Sequence, residues 1–147
     1  MSSISPEGNV YQAGTLSGNP VAMAAGIAML TELLKKDFYT ELEAKTTKLV
    51  NHLNNHAKQK GYDFKVFQIG SIFWPSFTSK EKIQDADAID ASGMTKFRTM
   101  YHAMLERGIY FGPSGYEVGF VSAAHSNEDL EKAAAIICEC LDLAITS

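Results

Sequence analysis

Two short stretches carry residue types able to do chemistry. The first is Gly14-Thr15-Leu16-Ser17-Gly18, followed at once by Asn19-Pro20 and an apolar run. Flexible backbone, two hydroxyls and an adjacent helix start offer N–H and O–H donors to an anion such as phosphate, with the helix dipole in support. Spacing alone leaves open a plainer reading, in which the same residues only turn the chain and cap a helix. The second is GPSGYEVGF (Gly112–Phe120), which places the carboxylate of Glu117 in a glycine-rich turn. By itself that is equally an exposed turn residue.

Other arrangements are set aside on spacing. Asp85, Asp87 and Asp90 suggest a calcium loop, but Asp90 and Lys96 stand where an EF-hand needs Gly and Glu. His52 and His56 share one helix face, yet no Glu follows His52 as in a zinc-binding HExxH pair. Ser17 is misplaced between its glycines for a nucleophile elbow. His125, beside a helix start, reads as a surface or packing residue.

The elements that must hold these stretches follow from capping and periodicity. Asn19 and Pro20 open a helix expected to run to Leu34, with Lys35 and Lys36 in its last turn. Val21–Leu30 has no polar side chain, and a helix apolar all round needs cover on every side. Another polypeptide is the expected cover: a further domain, a second copy of the chain, or both. A second helix is expected over Phe38–Lys60, with Phe38, Leu42, Leu49, Leu53 and Ala57 inward and Gly61 as its stop. Strands are expected at Tyr62–Ile69 and Ser71–Trp74, with Pro75 at an edge or a strand end. Ser79–Ser92 reads as an exposed polar insert. A third helix, Met94–Arg107, should present Phe97, Met100, Tyr101, Met104 and Leu105 on one face. Ile109–Phe111 and Val118–Ser122 read as strands flanking the turn. Ser126 and Asp129 form a capping box for a last helix with Leu130, Ala134, Ile137 and Leu141 inward.

The fold class expected is therefore mixed α/β, of the α+β kind. A mainly antiparallel sheet of three or four strands carries helices on one face, and a long apolar helix precedes it. Residues 1–34 read as an interdomain segment and 35–147 as a small domain. The chain has 147 residues and a net charge of −4, which does not favour nucleic acid or an anionic membrane. No export signal or bilayer-length apolar run is visible. Cys138 and Cys140, two apart on a helix, do not face each other, so neither a disulfide nor a metal pair is expected. A reducing, cytoplasmic setting fits these features.

Val10–Gly26 (VYQAGTLSGNPVAMAAG) resembles the segment joining the large and small domains in the glutamate-1-semialdehyde aminomutases. These belong to the class III aminotransferase-like, fold type I pyridoxal-phosphate enzymes. His102–Ala133 is similar to the C-terminal region of the same family, and Val66–Ser79 more loosely so, all in colinear order. The resemblance implies pyridoxal 5'-phosphate as cofactor and a homodimer. It implies an intramolecular amino transfer that converts glutamate 1-semialdehyde into 5-aminolevulinate for tetrapyrrole synthesis. It assigns Gly14 and Thr15 to the cofactor phosphate of the opposite subunit, and Glu117 to the neighbourhood of the substrate. Gly112 and Gly115 depart from the family's usual residues around that acid.

The family's Schiff-base lysine lies upstream of the YQAGTLSGNP motif, so no catalytic residue is assigned within this chain. The large cofactor-binding domain is absent from it too. The expectation is a C-terminal portion of an aminomutase, inactive by itself and without stoichiometric cofactor. Two other readings compete: a portion of another class III aminotransferase, and a non-catalytic dimerisation or interaction module that retains the fold.

Overall fold

A computed structural model describes residues Met1–Thr146. The described chain divides into two units, Met1–Phe38 and the part from Tyr39 onward.

In the first unit, the lead closes on itself through Ser5 N–H to Val10 O and Val10 N–H to Ser3 O, at 2.9 and 3.0 Å. Helix α1 spans Pro20–Leu33. Asn19 caps it as expected, its Oδ1 accepting from Val21 and Ala22 N–H at 3.0 and 3.2 Å. The helix ends before Lys35 and Lys36, which therefore stand outside its last turn, contrary to expectation. Lys35 instead pairs with Glu32 at 2.5 Å, and Asp37 takes a positive φ of 63° as the chain turns. No residue of α1 is buried.

Helix α2 (Phe38–Lys60) has the boundaries read from the sequence, and all but its first residue belong to the second unit. Gly61, at φ 70°, closes it in a Schellman motif, with Gly61 N–H to Lys58 O and Tyr62 N–H to Ala57 O. Strands β1 (Lys65–Ile69) and β2 (Ile72–Ser76) follow, then α3 (Gly93–Glu106), β3 (Gly119–Phe120) and α4 (Asn127–Thr146). The sheet is antiparallel in the order β1-β2-β3.

Alternation divides the sheet into two faces. Val66, Phe73 and Pro75 turn inward, whereas Phe67, Ile69, Ile72, Trp74 and Phe120 share the outer face through their cross-strand pairing. The inner face joins Leu53 of α2, Met100 and Met104 of α3, and Ile137 and Leu141 of α4 in one core. These five helical side chains have almost no solvent contact, and burial of each contributes about 1.5–3 kcal/mol. Thr46 is also fully buried, and its hydroxyl is satisfied by the Leu42 carbonyl at 2.9 Å.

Several expectations need correction. The first two strands begin later than their alternation suggested, at Lys65 and Ile72. Pro75 lies inside the central strand. This is tolerated because β3 pairs only with Ile72 and Phe73, so no ladder partner stands beside Pro75 on that side. Ile109–Phe111 forms no strand. Gly108 (φ 80°) and Ile109 close α3 in a second Schellman motif, with Ile109 N–H donating to Met104 O at 2.9 Å. That donor is lost to any ladder. Phe111 nonetheless packs edge-on to Phe73, with ring centroids 5.5 Å apart. Strand β3 is two residues, shorter than the expected Val118–Ser122. Leu105 is 45% exposed, and Ala103 takes the inward place on α3.

Two polar contacts seal the helices onto this unit. The Asn54 amide reads both backbone groups of Val66, accepting its N–H at 2.8 Å and donating to its carbonyl at 3.0 Å. It thus serves as a one-residue strand along the free edge of β1. Two residues further along α2, His56 Nε2 meets Asp142 Oδ1 of α4 at 2.7 Å, with Lys60 3.7 Å from the second oxygen. Burial alone would raise the Asp142 pKa, but hydrogen bonds from His56 and Tyr62 and the nearby cationic groups outweigh it and hold the carboxyl below its ordinary range.

Replacing Asn54 by Ala strands two backbone groups of a buried residue. Each costs about 1–3 kcal/mol when unpaired and buried, so urea unfolding of Asn54→Ala should show a loss of at least about 2 kcal/mol. Asn54→Asp, which keeps only the acceptor, should fall between it and the wild type. Asp142 has a lowered folded pKa, so its contribution is present above the unfolded carboxylate pKa of about 3.9 and is lost as pH falls through the folded value. The stability difference between wild type and Asp142→Asn should therefore shrink as pH falls below about pH 4. Denaturant titrations across that range check the sign.

Candidate functional site

The first candidate stretch is built from two successive turns. Ser17 N–H donates to Gly14 O and Asn19 N–H to Leu16 O, both at 3.0 Å. A Cβ on Gly14 would meet the Ser17 hydroxyl, a contact that rotation of the exposed Ser17 side chain relieves. Gly18 has φ 75°, the left-handed region that glycine adopts without strain. All of residues 10–18 are exposed. Thr15 makes no hydrogen bond within the described residues, so its hydroxyl and N–H are available to a ligand.

The helix start behind the loop is less available than the sequence suggested. Asn19 already occupies the Val21 and Ala22 N–H groups. An anion at this loop would therefore rely on the Gly14–Gly18 backbone and the Thr15 hydroxyl more than on the first turn of α1. These N–H and O–H groups lie on short turns with no carboxylate among residues 14–18, so their chemistry suits a phosphate group.

The second stretch is more firmly held. Glu117 N–H donates to Ser114 O at 3.0 Å, which closes the turn, and the carboxylate is exposed. Gly112 sits directly against it: a Cβ on Gly112 would stand 2.7 Å from the Glu117 Cβ and closer still to its carboxylate. Gly115 lies against α3, where an added Cβ would meet Met94 Sδ at 2.7 Å and the Phe97 ring at 3.2 Å. The two glycines that depart from the family pattern thus make room for Glu117 and for close docking of its turn. Beside the turn, Ile109, Phe111, Val118, Phe120, Ala133 and Ile136 line an open apolar cleft of about 610 Å³.

Gly14 and Thr15 belong to one unit of the chain and Glu117 to the other. Residues not singled out from the sequence also shape these sites. Trp74 donates its indole N–H to Gly115 O at 2.8 Å, and Ser114 accepts from Glu117 N–H through its carbonyl. A buried or half-buried tryptophan needs a partner for that N–H, which was the available signal for Trp74; its partner depends on tertiary contact.

The residues set aside earlier have other roles. His125 Nδ1 accepts from Ser122 N–H at 3.0 Å, and its carbonyl accepts from Lys45 at 2.9 Å. His56 is engaged with Asp142. Ser126 and Asp129 form the expected capping box, with Ser126 N–H to Asp129 Oδ2 at 2.9 Å and Asp129 N–H to Ser126 Oγ at 3.0 Å. Cys138 and Cys140 are free and buried, and burial, aided by nearby Asp142 and Glu139, pushes the Cys138 thiol up to about 11. Among the described residues no helix is long and apolar enough to cross a membrane.

Comparison with known proteins supplies the family. The profile described as Aminotransferase class-III matches residues 1–141. A glutamate-1-semialdehyde 2,1-aminomutase of Psychrobacter cryohalolentis is 46% identical over 134 residues, covering 89% of this chain and 31% of that protein. Among solved structures, an omega-transaminase from Sphaerobacter thermophilus superposes with a TM-score of 0.81 at 20% identity, over 92% of this chain and 31% of its own. A glutamate-1-semialdehyde aminomutase from Pseudomonas aeruginosa in complex with PMP gives 0.73 at 20% identity, over 93% and 31%. The chain thus spans about a third of the length of these relatives. By the match of the family profile along nearly its whole length, the chain belongs to the class III aminotransferase family.

Proposed function

We propose that this chain is the C-terminal portion of a glutamate-1-semialdehyde 2,1-aminomutase. That enzyme catalyses the intramolecular amino transfer giving 5-aminolevulinate for tetrapyrrole synthesis. The observation that carries the reading is the 46% identity to an aminomutase over 134 residues. Likeness to the transaminase structures near 20% identity speaks for the fold only. Residues 1–34 act as the interdomain segment and 35–147 as the small domain.

Pyridoxal phosphate, when bound, supplies an electron sink for the carbanion chemistry. This chain's part is to hold and orient. The Gly14 backbone and the Thr15 N–H and hydroxyl bind the cofactor phosphate, in the family's manner across a dimer. Glu117, fixed against Gly112, presents a carboxylate that orients the substrate's amino group and exchanges a proton with it. The Schiff-base lysine and the ring pocket come from the remainder of the enzyme.

The dimer reading rests on α1. Val21, Ile27 and Met29 are 77%, 63% and 62% exposed on a helix with no polar residue from Val21 to Leu30. Apolar surface of this kind contributes about 25 cal/mol per Å² when covered, and a second copy of the chain supplies the cover.

A chimera in which this chain replaces the matching third of the 46% identical aminomutase tests the function. It should form 5-aminolevulinate. Glu117→Gln should lower turnover tenfold or more while stability stays within the ±0.5 kcal/mol expected of a surface change. Thr15→Val should speed loss of the cofactor on dilution, followed by its absorbance. A chimera that folds, holds cofactor and shows only transaminase activity would refute the aminomutase reading. Sedimentation of the 147-residue chain tests the second point. It should self-associate at micromolar concentration, and Ile27→Glu should shift it toward monomer; a wild-type chain that stays monomeric would refute the dimer contact.

A further inference from the structure

Trp74 lies on the outer face of β2, directly opposite Phe67 of β1. The two rings stack with centroids 5.5 Å apart and planes inclined by 24°, which fixes the indole plane. From that position the indole N–H donates to Gly115 O at 2.8 Å, across 41 residues of sequence. Gly115 is the residue whose missing side chain lets the turn dock against Met94 and Phe97. Two residues on, the Glu117 N–H donates to Ser114 O, and its side chain lies in the space that Gly112 leaves clear. The turn therefore has one anchor to the sheet, one to α3 and two internal bonds, from Glu117 N–H to Ser114 O and from Tyr116 N–H to Ser114 Oγ. Only the first is a tertiary hydrogen bond from a side chain.

We infer that Trp74 is a positioning residue for Glu117: its indole, locked by Phe67, clamps the Gly112–Glu117 turn to the sheet and sets where the carboxylate stands. The consequence for the reaction rests on the role proposed above for Glu117; the clamp itself does not. Exposed glycine-rich turns ordinarily sample several conformations, because glycine restricts φ so little. A turn with glycines at 112 and 115 needs an external restraint if its acid is to meet a substrate in one geometry.

The test has three parts. In the wild-type chain, the single indole N–H should exchange with solvent at least tenfold more slowly than in free tryptophan; equal rates would overturn the proposal whether or not any variant folds. In Trp74→Phe, which keeps the ring against Phe67 and deletes the donor, NMR order parameters of Gly115–Glu117 should fall from about 0.85 to below about 0.6. Those of α2 and α4 should not move. Unchanged order in the turn would also overturn the clamp. In the chimera, Trp74→Phe should lower turnover three- to tenfold, and less than twofold when combined with Glu117→Gln. Equal losses in both backgrounds would make Trp74 merely structural and overturn its positioning role. A turn that loosens with no change in turnover would support the clamp and count against the reading of Glu117.

Discussion

The part of the chain from Tyr39 onward depends on one constraint: a three-stranded sheet has a single face on which three helices must converge. Leu53, Met100, Met104, Ile137 and Leu141 meet there with almost no solvent contact. Each polar contact described above acts at the rim of this core. Asn54 closes the sheet edge beside Leu53, and His56 ties α2 to α4 at Asp142, the residue after Leu141. Such contacts are worth little in open water. Next to a dry core, their loss leaves backbone groups or a carboxylate poorly solvated, so they enforce the register in which the core packs.

The same constraint gives the Glu117 turn its geometry. Because α3 packs on the inner face, its first turn projects Met94 and Phe97 toward the end of the sheet, where Gly115 meets them. Trp74 reaches the turn from the other face. The turn is thus pinched between two elements already fixed by burial, and it inherits their rigidity without containing a regular element of its own. The Gly14–Gly18 loop differs. It is ordered by its own turns and by Asn19, and it offers exposed, unengaged donors.

Much of this was legible in the sequence because local signals were strong. Helix α2 was readable to the residue, since its apolar spacing and Gly61 agree, and the caps at Asn19 and Ser126 act over two or three residues. The errors arose where tertiary pairing decides. Ile109–Phe111 has strand-like composition, but its first N–H closes α3 instead. Pro75 pointed to an edge, and the central strand accommodates it because β3 is only two residues long. At the candidate sites, residue types named Gly14, Thr15 and Glu117. The clearance at Gly112 and the bond from Trp74 were not legible, because each joins positions whose approach depends on the folded sheet and helix.

The outer face of the sheet has a practical side. Ile69 and Phe120 are 76% and 63% exposed there, on strands at the two edges of the sheet. Asn54 occupies the backbone groups of β1 at Val66, whereas β3, at the opposite edge, offers a ladder of only two residues. Strand addition from another molecule is the characteristic failure of such an edge. Edge-to-edge pairing of this sheet is therefore limited at β3, where brevity is the defence against aggregation and a lengthened strand would remove it.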